Sequence, residues 1–196
     1  AAPAGWCKTS ALAQWAAASS LPVAWYTLDP SDRDPKLFLD YLLHSIAEFV
    51  PSAAELLANL ASAAPQGMPE IIHAAALALS SARAPFALVL DDFHVFDDPP
   101  QSALPGVTQI FELIASVAQY ASDCHIVLVS RTLPALHGLV RMIAQQRAAV
   151  FDYTALQFSP AEAQQLAGQA YALTLSDQRA AQLVAQLGGW VTGIVL

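Results

Sequence analysis

Residues 86 to 92 read Phe86-Ala87-Leu88-Val89-Leu90-Asp91-Asp92. The first five are apolar with no polar alternation, the pattern of a strand covered on both faces, as strands of parallel sheets are. Two carboxylates close the run. In an open parallel sheet ligands bind beyond the carboxyl ends of the strands, so Asp91 and Asp92 stand where chemistry is expected. Working outward, Val23-Ala24-Trp25-Tyr26-Thr27 and Ile126-Val127-Leu128-Val129 read as further strands, and Ala149-Val150-Phe151 as a weaker one.

Helical patterns separate these runs. One is expected from Thr9 to Ala18. A second starts with Asp34 as N-cap and Pro35 at the first helical position, and carries Leu37, Phe38, Tyr41, Leu42, Ile46 and Phe49 at three- and four-residue intervals. Others are expected over Ala53 to Ala63 and Glu70 to Ser81, divided by the breakers Pro65, Gln66, Gly67, Met68 and Pro69, and over Val107 to Tyr120 and Pro134 to Gln145. The alternation of strands and helices gives an α/β class, a parallel sheet flanked by helices. After Phe158 the pattern is helical throughout. Ser159-Pro160-Ala161-Glu162 reads as a capping box, a second helix begins near Ser176, and a third start follows Gly188, Gly189 and Trp190. The one boundary is placed near Leu156, giving an α/β domain over 1–156 and the start of a small all-helical segment over 157–196.

Composition narrows the partners. The chain has 196 residues, 56% hydrophobic and 12% charged, with a mean hydropathy of +0.44 and a net charge of −8. A negative chain repels a phosphate backbone, so contact with DNA is expected only through a domain outside these residues. The uncharged stretch Ala11 to Leu28 is interrupted by Gln14, Ser19, Ser20 and Pro22 and does not read as a membrane span. No signal-peptide pattern opens the chain, and a cytoplasmic, soluble protein is expected. Cys7 and Cys124 form no ligand cluster with the five histidines.

The opening Ala2-Pro3-Ala4-Gly5-Trp6-Cys7-Lys8-Thr9 leads into a helix and approaches GxxxxGK[ST], the phosphate-binding P-loop. Backbone N–H groups wrap a phosphate there, the helix N-terminus adds its dipole, and a lysine reaches the outer phosphates. Gly5, Trp6, Cys7, Lys8, Thr9 and Ser10 form the candidate cradle, with Lys8 as that lysine and the Thr9 hydroxyl as a Mg²⁺ ligand. Two positions depart from the motif. Ala2 replaces its first glycine, and Cys7 the glycine before lysine, where positive φ is expected at a strain of about 1–3 kcal/mol for a residue with a Cβ. An Ala/Gly-rich loop before an ordinary helix is the alternative.

Asp91 would bind Mg²⁺ directly or through water, and Asp92 could orient an attacking water. Arg131, after the strand ending at Val129, could pair with a terminal phosphate and report its presence. Solvated turn aspartates and a surface arginine are the plain alternatives. His94 is a secondary candidate, while His44, His73, His125 and His137 are expected at the surface.

Taken in series, these elements resemble the MalT-like STAND P-loop ATPases, including the large LuxR-type bacterial transcriptional regulators. The family's APAGxGKTxLLAQW is matched by APAGWCKTSALAQW. The segments AWYTLDPSDRDPKLFLDYLLHSI, FALVLDDFHVFDDP, HIVLVSRTLPAL, LQFSPAEAQQL and GGWVTGI are similar to its second strand and helix, Walker B region, arginine strand and following helical region. The resemblance implies a sheet with the arginine strand between the P-loop strand and the Walker B strand, bringing Lys8, Asp91 and Arg131 together. It further implies ATP or ADP with Mg²⁺, hydrolysis that is slow at most, and a switch between a closed ADP state and a self-associating ATP state. Winged-helix, helical-repeat and DNA-binding parts would follow in full-length regulators, and the region of Gly189 and Trp190 would lie near the nucleotide. Only Ala1 precedes Ala2, so the strand expected to enter the loop reads as cut away and the chain as a fragment.

The function expected is an ATP/ADP-binding regulatory switch domain controlling transcription. The alternative is a degenerate P-loop domain that lost nucleotide binding through Cys7 and serves as an interaction scaffold. A metabolic α/β enzyme is a third reading that lacks a nucleophile and base constellation.

Overall fold

The computed structural model describes residues 1–61, 67–97 and 105–196. It is an α/β structure of nine α-helices and three strands among those residues, in the order α1 (Lys8–Ala18), β1 (Val23–Thr27), α2 (Pro35–Ile46), α3 (Pro51–Ala61), α4 (Met68–Ser80), β2 (Phe86–Asp91), α5 (Pro105–Tyr120), β3 (Cys124–Leu128), α6 (Leu139–Ala144), α7 (Pro160–Tyr171), α8 (Asp177–Leu187) and α9 (Val191–Val195). No helix among them is long and apolar enough to cross a membrane. Two compact units result, one of residues 15–149 and one that joins residues 1–14 to residues 150–196.

In the unit of residues 15–149, β2 is central and pairs in parallel with β1 on one side and β3 on the other. All six β2 residues are buried, as their unbroken apolar run requires. Side chains alternate across a strand, so Phe86, Leu88 and Leu90 share one face. On that face they join one core with Phe38, Leu42 and Ile46 of α2 and with Ile110 and Leu113 of α5. Ala87 and Val89, on the opposite face, are also fully buried. Parallel strands need crossovers, supplied here by α2 to α4 between β1 and β2 and by α5 between β2 and β3.

Helix starts follow local chemistry. The Asp34 carboxylate accepts from the backbone N–H groups of Lys36 and Leu37 at the head of α2, with Pro35 at its favoured place. Ser159 and Glu162 close a reciprocal capping box on α7, and Ser176 caps α8. Helix α8 ends on Gly188 at φ +59°, followed by Gly189 at φ +72°. A Cβ on Gly189 would stand 3.0 Å from the Phe158 nitrogen, so glycine is required there by packing as well as by torsion.

Three expectations need correction or limit. Ala149, Val150 and Phe151 form no strand: they have no ladder partner among the described residues, Val150 and Phe151 are exposed, and the Phe151 carbonyl accepts from the Ala1 ammonium at 2.5 Å. β-rich composition makes a strand only where a neighbouring edge receives it. The helix expected over Pro134 to Gln145 shortens to α6, because Gly138 takes φ +79° and the chain can turn helical only after it. The expected helix end at Ala63 and the breakers Pro65 and Gln66 lie outside the described residues.

Phe38 is fully buried and its ring stacks on Tyr26 at 5.8 Å and meets Phe96 edge-on at 6.1 Å. Truncation to alanine opens a cavity in the core of this unit. Phe38→Ala is expected to lower the free energy of unfolding by about 3–5 kcal/mol, read from urea denaturation.

Candidate functional site

The candidate residues fall in both units, and each group is described within its own. In the unit that holds the N-terminus, the stretch before α1 makes a tight loop with Gly5 at φ +78° and Cys7 at φ +50°. The Cys7 carbonyl accepts the first helical bond from Ala11 N–H at 2.9 Å, so α1 starts directly at the loop. The position before Lys8 therefore takes the left-handed torsion that the motif's glycine would supply freely. With a Cβ that torsion costs on the order of 1–2 kcal/mol.

Lys8 turns back over this loop. Its ammonium donates to the carbonyls of Ala2 at 2.6 Å and Pro3 at 2.8 Å, fixing the cationic head at the loop entrance. Ala2 is buried. Trp6 packs its ring against Tyr153 at 5.4 Å. On the other side, the start of α9 meets Gly5. The Thr192 hydroxyl donates to the Gly5 carbonyl at 2.8 Å and the Thr192 backbone N–H to the same oxygen at 3.3 Å. A Cβ on Gly5 would fall 2.5 Å from the Thr192 hydroxyl oxygen and 2.8 Å from the Trp190 indole nitrogen, so no larger residue fits. The Trp190 indole N–H is itself buried without a hydrogen-bond partner, the kind of orphan donor that structures retain where a ligand or water completes it.

The unit of residues 15–149 carries the second group, at the carboxyl end of the sheet. Asp91 ends β2 beside Thr27 of β1, and its carbonyl accepts from Leu28 N–H at 3.0 Å. Asp91 is 2% exposed, and its carboxylate accepts from Asp92 N–H at 2.9 Å. Burying a carboxylate is costly unless it is bonded, and this local bond is one compensation. Asp92 takes the left-handed region at φ +55° and ψ +34°, which turns the chain sharply and leaves its side chain exposed. His94 then comes within 3.7 Å of the Asp92 carboxylate.

On the next strand the chain continues to a buried Ser130 and an exposed Arg131 at the same end of the sheet. Val129 N–H donates to Leu90 O, and Phe93 N–H returns the bond to Val129 O, so the two strand ends and their turns are laced together. The Thr132 hydroxyl also donates to the Asp97 carboxylate. Asp91 and Arg131 thus follow adjacent parallel strands at one end of the sheet. The arginine strand lies next to β2, as expected. A P-loop strand on its far side has no counterpart among the described strands.

Two features of this rim were not anticipated. Arg33 donates twice to the Val95 carbonyl, at 2.9 and 2.7 Å, tying the turn after β1 to the turn after β2. Asp32, 2% exposed, accepts from the Tyr26 hydroxyl at 2.5 Å and from Asp29 N–H at 2.7 Å. Burial, then this bond, drives the Tyr26 phenol far above its ordinary range, so it stays neutral. Both are partnerships between residues whose types are ordinary in a turn, and only packing identifies them.

Among the described residues no cluster of three or more His, Cys, Asp or Glu could hold a metal ion.

No family model matches the chain. Along 99% of its length it is similar to HTH-type transcriptional regulators MalT: 27% identical over 197 residues to that of Yersinia enterocolitica, 27% over 203 residues to that of Serratia proteamaculans and 28% over 197 residues to that of Yersinia pestis. The chain spans about a fifth of the length of these curated relatives. The similarity runs through both units and both groups of candidate residues.

The two cysteines differ in access. Cys124 is 6% exposed, and burial pushes its thiol up to about 12, whereas Cys7 is half-buried. At pH 8 a soluble disulfide reagent is expected to label Cys7 in the folded chain and Cys124 only after unfolding, read by mass spectrometry of the modified peptides. Cys7→Gly should raise the free energy of unfolding by about 1 kcal/mol, as release of a left-handed residue predicts.

Proposed function

We propose that the chain is the nucleotide-binding switch module of a MalT-like transcriptional regulator, taking ATP or ADP with Mg²⁺. The observation that carries this reading is the loop before α1: positive φ at Gly5 and Cys7, the helix start directly after them, and Lys8 bent over the loop. Successive amides in such a turn, with a helix N-terminus behind them, make an anion-binding concavity. Lys8 and the loop amides would hold the β- and γ-phosphates. Thr9 is the proposed metal-binding hydroxyl of this unit, and Asp91 the proposed metal-binding carboxylate of the sheet unit. The bound Mg²⁺–nucleotide would supply an activated phosphoanhydride. Asp92 would orient a water, and Arg131 would pair with a terminal phosphate. Any hydrolysis is proposed to be slow, the module serving as a switch.

The net charge of −8 favours DNA contact through another part of the regulator, and self-association in the ATP state is part of the same proposal. Similarity to proteins named as HTH-type transcriptional regulators supports the regulatory setting.

Titration with a fluorescent ATP analogue tests the reading. Mg²⁺-dependent binding is expected, with Lys8→Ala weakening it at least about tenfold, the scale of one lost charge-assisted contact of roughly 1.5–3 kcal/mol. Cys7→Gly should tighten it up to tenfold or more if the strain at that position is relieved in the bound loop. Failure of the parent chain and of Cys7→Gly to bind at millimolar analogue would sink the proposal and leave an interaction scaffold.

A further inference from the structure

We infer that Thr192, at the start of α9, is a positioning residue for the phosphate cradle, gripping the one loop peptide whose orientation decides whether its amide can serve an anion. The inference rests on the nucleotide-binding reading. It begins from a bond pair that no ordinary helix start requires: Thr192 spends both its hydroxyl and its backbone N–H on the Gly5 carbonyl, 187 residues away in the chain, at 2.8 and 3.3 Å.

A peptide unit is planar and trans, so the Gly5 C=O and the Trp6 N–H point to opposite sides of the same plane. Fixing the carbonyl toward α9 turns the Trp6 amide away from α9. Gly5 sits at φ +78° and has no side chain, so this peptide could otherwise flip at low cost. A flipped unit would present a carbonyl oxygen where an anion needs a donor. Thr192 removes that freedom before any ligand arrives, which lowers the ordering cost of binding.

The fit is close on both sides. Space for a Cβ at Gly5 is taken by the Thr192 hydroxyl and the Trp190 indole, and Gly188 and Gly189 make the turn that delivers these two side chains. The same contact works in reverse. A ligand that stiffens the Gly5–Trp6 peptide tightens the grip on Thr192, so occupancy of the loop is passed to α9.

Thr192→Val keeps the shape and removes the hydroxyl donor, while Thr192→Ser restores it. In titrations of the 196-residue chain with a fluorescent ATP analogue and Mg²⁺, Thr192→Val should weaken binding about 2- to 10-fold, the range of one net hydrogen bond, with Thr192→Ser within about twofold of the parent. Urea denaturation should show parent and both variants fully folded under the titration conditions, which separates positioning from unfolding. In the unsubstituted chain the analogue should slow hydrogen exchange at the Thr192 amide, a readout that needs no variant to fold. Equal affinities for parent and Thr192→Val, or unchanged exchange at Thr192 on binding, overturn the clamp while leaving nucleotide binding intact. Absence of any binding by the parent, with Lys8→Ala no different, overturns both.

Discussion

The sheet depends on one strand whose every residue is buried. From Phe86 to Leu90, β2 has no polar position to offer water; β1 and β3 pair with its two edges, and α2 and α5 cover the face that carries Phe86, Leu88 and Leu90. The same requirement fixes where its polarity can appear. Asp91 and Asp92 follow at the carboxyl end, the first buried and bonded to the next amide, the second released by a left-handed turn. Arg131 reaches that rim because β3 runs parallel to β2 in register, Leu90 beside Leu128.

The other unit carries a tight small-residue loop ahead of α1. Two positive-φ residues bend the chain ahead of α1, one of them glycine and one cysteine. The molecule accepts strain at Cys7 to keep that bend. It then holds the loop from two directions, by the Lys8 ammonium on the carbonyls of Ala2 and Pro3 and by Thr192 on the carbonyl of Gly5. In the proposed cradle, carbonyls held this way would leave the loop amides to serve an anion. The cost of Cys7 and the care taken with Gly5 are consistent with a loop whose shape matters more than its stability.

Similarity to MalT-type regulators covers nearly the whole chain but only about a fifth of those proteins. In the proposed switch the loop would read phosphate through backbone groups, which tolerate sequence change. The helical segment touches that loop directly, through Thr192 and Trp190.

Much of this was legible from residues alone, for reasons that are local. The apolar run of β2, the Asp34-Pro35 start of α2 and the Ser159 to Glu162 capping box depend on neighbours within a few positions, and they form where periodicity and capping chemistry put them. The left-handed torsion at Cys7 was likewise readable, because the motif's spacing names the position that needs it. Ala149 to Phe151 shows the limit: composition favours a strand, but no edge receives it. The grip of Thr192 on Gly5 and the bracing of Val95 by Arg33 were decided only by the tertiary structure, since they join ordinary residues across 187 and 62 positions. A threonine or an arginine carries no mark of its partner until folding closes the loop between them, and that closure is what a linear pattern cannot encode.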